Sequence, residues 1–78
     1  MSQSSLHEIE AGTLFKYLGT SDNPAFRLKA GDTVSFLYQA EEDVSQTILK
    51  GYVCLQPHDG GWEVWGSEDN FRKNFTFA

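Results

Sequence analysis

Cys54, His58 and Asp59 are the residues whose types and spacing come nearest to covalent chemistry. A thiol needs a neighbouring base, and the base needs a group that orients it. Cys54 and His58 stand four apart across Pro57, with Asp59 next in line. The plainer reading of the same residues is a small apolar cysteine and a solvated turn histidine. Nucleophilic catalysis demands strict geometry, so the sequence is read as non-enzymatic. Metal chemistry has equally little to work with. His7 and His58 are the only histidines, Cys54 is the only cysteine, and no CxxC or HxxxH spacing occurs. The run Glu41-Glu42-Asp43 lacks the spaced oxygens and glycine of a calcium loop. Gly60-Gly61 precedes a strand pattern rather than a helix, which does not suit a phosphate loop. No cofactor is expected.

The residues that remain are suited to recognition. Thr33 to Gln39 alternates, with Val34, Phe36 and Tyr38 on one face and Thr33, Ser35, Leu37 and Gln39 on the other. Gln46 to Leu55 reads as a long strand, with Leu49, Gly51, Val53 and Leu55 opposite Ile48, Lys50, Tyr52 and Cys54. In the strand Trp62 to Trp65, Trp62 and Val64 oppose Glu63 and Trp65. If the more apolar face of each strand is the core, Leu37, Tyr52 and Trp65 point outward together, beside Glu63. Exposed aromatics ringed by charge have the composition of an interaction hot spot. The competing expectation is that a C-terminal helix covers this face through Phe71 and Phe75.

Those strands sit in a regular series of turns. Thr13 to Leu18 reads as a first strand, ended by Gly19. Ser21-Asp22-Asn23-Pro24 and Lys29-Ala30-Gly31-Asp32 read as turns, with a short extended piece at 25–28 between them. Pro57 to Gly61 is a hairpin turn. Ser5 to Glu10 could form a capped helical turn. Ser67 to Phe75 predicts a short helix: Ser67 as N-cap, Glu68 and Asp69 in the first turn, Arg72 and Lys73 toward the end. The fold class is mostly β: a small SH3-like barrel or a strongly bent antiparallel sheet with a short C-terminal helix.

Length and charge set the limits. The 78 residues make a single small domain, residues 1–78, with the polar residues 1–5 expected to be flexible. One cysteine excludes an internal disulfide, which leaves the eleven aromatics to build the core. Their number is large for so small an interior, so some are expected at the surface or in a tight homodimer. Residues 1–30 carry three acids and three bases; residues 31–78 carry eight acids and three bases, the whole surplus of -5. An acidic field repels phosphate backbones, which argues against direct nucleic-acid binding and for a partner with a basic surface. No apolar run has the length of a signal peptide or membrane span, so a cytoplasmic location is expected.

Three segments together, Gly31-Asp32-Thr33-Val34, Glu63-Val64-Trp65 and Phe71-x-x-x-Phe75, resemble the pattern of small phage and prophage β domains. Those carry a Gly-Asp-Trp-Ile type strand, a Glu-x-Tyr strand and a terminal Phe-x-x-x-Tyr. The resemblance covers the second half of the chain. Thr33 stands where those domains have an aromatic, and the segment between the motifs is longer here. The resemblance implies a phage-type origin and transfers no site residue.

The functional expectation is a non-enzymatic protein-binding module, a phage-type inhibitor or adaptor that occupies a partner surface with acidic and aromatic residues. The candidate binding residues are Leu37, Tyr52, Glu63 and Trp65. Two alternatives belong to other classes. One is a small-ligand or nucleotide-binding domain with an aromatic pocket, where Arg27, Lys29 or Arg72 would meet phosphate. The other is a structural subunit of a larger assembly.

Overall fold

The computed structural model describes residues 9–19 and 28–78. Residues 1–5 and the turn at 21–24 lie outside them, as do residues 5–8 of the helical turn expected over 5–10 and residues 25–27 of the extended piece expected over 25–28. Five strands and one helix follow in the order β1 (Leu14–Tyr17), β2 (Thr33–Gln39), β3 (Val53–Pro57), β4 (Val64–Gly66), α1 (Glu68–Asn74) and β5 (Phe75–Phe77). The strands form one open antiparallel sheet in the order β4-β3-β2-β1-β5. This is a mostly β fold with a short C-terminal helix, the open-sheet form of the two architectures the sequence suggests.

The alternation in β1 places Phe15 and Tyr17 in the core and leaves Leu14 and Lys16 exposed. Val34 and Phe36 from β2 and Val53 and Leu55 from β3 join them on the same face. The turn after Leu28 forms as its residues suggest. The Asp32 carboxylate accepts from the Lys29 N–H at 2.9 Å, and Gly31 takes the positive φ that closes the turn.

α1 is the crossover that joins the two edges of the sheet. β4 and β5 lie at opposite ends of the strand order, so the helix between them must traverse one face. It traverses the core face. Phe71 packs edge-on against Phe15 with centroids 4.9 Å apart, and against Phe36 at 5.9 Å. The helix begins where Ser67 accepts from the Asn70 N–H. Two i,i+4 ion pairs, Arg72–Glu68 and Lys73–Asp69, run along its exposed side. At its end Asn74 is fully buried, and its side-chain amide donates to the Asn70 carbonyl at 2.8 Å. The chain then passes directly into β5, which the sequence reading does not include.

Two strand expectations are corrected. Residues 46–52 do not belong to a long strand; β3 begins at Val53. Ser45 Oγ accepts from the N–H groups of Thr47 and Ile48, and Asp43 Oδ1 accepts from the Lys50 N–H. Such local side-chain bonds compete with a ladder and fold the segment into turns. Gly51, at φ 92°, completes the reversal. The strand expected from Trp62 starts at Val64, because Gly60 and Gly61 both take positive φ and lengthen the turn. Val64 packs against the core, but Trp62 is 91% exposed.

Candidate functional site: the open face of the sheet

With α1 on the core face, the opposite face carries a row across three strands. Tyr38 on β2 pairs with Cys54 on β3, and Cys54 pairs with Trp65 on β4. Strict alternation assigns Tyr38 to the core with Val34 and Phe36. A β-bulge overturns that assignment. Phe36 pairs with Leu55 while Tyr38 pairs with Cys54, so β2 advances two residues against one on β3. The extra residue reverses the side-chain phase, and Tyr38 emerges on the open face, 51% exposed.

Tyr38 and Trp65 meet edge to face, with centroids 5.6 Å apart and planes at 84°. This arrangement places a positive ring edge against a negative ring face. Beneath them Cys54 is fully buried. Burial pushes its thiol up to about 12, with further rises from the Glu63 charge and a hydrogen bond to the Glu63 side chain. The thiol is therefore held protonated. The Tyr38 phenol is also raised above its ordinary value, by desolvation first and then by Cys54 and Glu63. The site is thus two aromatic rings and a carboxylate closed over a neutral thiol.

The four residues singled out from the sequence do not all gather here. Trp65 and Glu63 belong to the site. Leu37 is half-buried at the bulge. Tyr52 is half-buried in the turn before β3, where its N–H donates to the Leu49 carbonyl and its carbonyl accepts from the Ala40 N–H. The tyrosine that meets Trp65 is Tyr38. Tyr38 and Cys54 are the members that sequence reasoning missed. Cys54 was legible as a residue of the Tyr52 face, whereas the bulge that turns Tyr38 outward has no marker such as a mid-strand glycine. The expectation that the helix covers the Trp65 face fails, because α1 must cross the other side.

Nor do Cys54 and His58 pair. Four residues of strand separate them by roughly 13 Å. His58 instead lies by Ser35, with Oγ and Nε2 2.9 Å apart, and its N–H donates to the Thr33 carbonyl. Both contacts tie the hairpin turn to β2. Among the described residues no group of three histidine, cysteine or acidic side chains could hold a metal ion. No helix there is long and apolar enough to cross a membrane.

No family model matches the chain, and neither the curated proteins nor the solved structures contain a match to it.

Proposed function

We propose that this chain is a non-enzymatic protein-binding module, an inhibitor or adaptor of the phage type, acting in the cytoplasm on a partner with a basic and apolar surface. The observation that carries the reading is the Tyr38–Trp65 pair on a sheet face that the helix leaves open. Aromatic side chains locked by packing lose little entropy on binding and are enriched at interface hot spots. Glu63 adds a charge beside them, and Trp62 adds an aromatic on the same hairpin. A nucleotide-binding reading is weaker, because the acids of the second half repel phosphate.

The test is capture of partners from lysate of the source cells by the wild-type chain and by Trp65→Ala. The reading expects the variant to stay folded by circular dichroism and to lose the partner that the wild type retains. An unfolded variant, or an unchanged captured set, contradicts it.

A further inference from the structure

An open groove of about 690 Å3 runs beside the end of β2 and continues from Tyr38. Its apolar lining includes Ile9, Leu37, Tyr38 and Val44. Its acidic lining is Glu41, Glu42 and Asp43. The Asp43 carboxylate is engaged by the Lys50 N–H, which fixes the turn that forms this wall. Glu41 and Glu42 are exposed and make no ion pair among the described residues. Val44 is 56% exposed, although its backbone N–H is bonded to the Ile48 carbonyl. An exposed apolar side chain thus stands next to two exposed carboxylates that have no ion-pair partner among the described residues.

The distribution of charge identifies the occupant. Eight acids follow residue 30, and two of them, Glu68 and Asp69, are neutralised within α1. Three of the remaining six line this one groove. A nucleic acid or a second copy of this chain would bring negative charge to it. Residues 1–8 contain no lysine or arginine and add Glu8. A cationic peptide matches both features: an arginine or lysine meets Glu41 and Glu42, while its aliphatic stem and an apolar neighbour lie against Leu37 and Val44.

We propose that this groove binds a partner's peptide segment in which arginine or lysine adjoins apolar residues. The inference deepens the binding-module reading and rests on it; Tyr38 belongs to both, lining the groove and packing against Trp65.

The test is fluorescence anisotropy with the full chain and a labelled peptide alternating leucine and arginine. Two comparison peptides replace arginine by glutamate or leucine by serine. The leucine–arginine peptide is expected to bind saturably and more tightly than either. The double variant Glu41→Gln/Glu42→Gln should weaken it about three- to tenfold, from the loss of two exposed charge contacts. Val44→Lys, a change at an exposed side chain, should weaken it at least as much. Equal binding of the arginine–serine peptide, or indifference to both variants, would overturn the groove. So would a concentration-dependent dimer in light scattering that Val44→Lys dissolves, since the occupant is then a second copy. Partner capture with Trp65→Ala is read alongside. If capture depends on Trp65 while the peptide ignores the groove variants, this inference fails and the binding-module reading stands. If the peptide behaves as expected but capture ignores Trp65, the aromatic face is what fails.

Discussion

Cys54 shows how one residue's chemistry is set by its neighbours. It is fully buried on the face of the sheet that the helix does not cover, because Tyr38, Trp65 and Glu63 gather around it. Its thiol is pushed up to about 12, so it is a poor nucleophile at neutral pH. Alkylation with iodoacetamide should be slow in the native chain and fast after denaturation; rapid native labelling would show that the aromatic cover is absent. Glu63→Gln removes a negative charge beside the thiol and should lower its pKa from about 12. The same group couples stability to pH. The folded chain keeps this proton to about 12, whereas the unfolded chain releases it near 9. The contribution is fully present below about 9 and is lost as the pH rises toward about 12. Tyr38, also raised, acts in the same direction. Urea unfolding across this interval should show falling stability, and Cys54→Ala should flatten the decline.

At the scale of elements, α1 decides which face of the sheet is core. Phe71 contacts Phe15, Phe36 and Phe75, so its ring joins the helix to three strands. Phe71→Ala should cost about 3–5 kcal/mol, a large part of the stability of so small a domain. The expected result is a chain largely unfolded by circular dichroism at room temperature. Ser67→Ala removes the N-cap bond to Asn70 and should cost about 1 kcal/mol, lowering the melting temperature without unfolding the chain. This helix was legible to within a residue at each end, because its cap, its charges and its paired phenylalanines all agree. β1 and the core half of β2 were legible from alternation for the same reason. What failed depended on information outside each local pattern. Ser45 and Asp43 look like ordinary polar residues until their side chains are seen closing turns over 45–50. The bulge after Phe36 is set by how β2 registers with β3, which no single strand's sequence specifies. β5 is only three residues long and follows the helix without a turn signal, although Phe75 and Phe77 do alternate.

For the whole molecule, the crossover leaves uncovered the sheet face that the proposed function assigns to recognition. α1 covers the core face and pairs Glu68 and Asp69 with its own Arg72 and Lys73, so the aromatic row and the carboxylates without an ion pair among the described residues lie elsewhere. Two terms should therefore separate in the binding of a protein partner. The electrostatic term should weaken as salt is raised, since exposed charges are screened over about 10 Å at 0.1 M salt. The aromatic term should persist at high salt and vanish with Trp65. Replacing Trp65 removes the edge-to-face contact with Tyr38, a loss of about 0.5–1.5 kcal/mol beyond the area it buries. Trp65 is half-buried on a three-residue edge strand, whereas Phe71 lies in the core, so Trp65→Ala should cost less than Phe71→Ala and leave a folded chain for the comparison. The decisive measurement is the affinity of a captured partner for wild type and Trp65→Ala, with thermal unfolding of both chains recorded alongside. A binding loss of at least about tenfold, at the hot-spot scale, with a cooperative melt retained, is the predicted result. Unchanged affinity, or a variant with no cooperative melt, would contradict the assignment of this face to recognition.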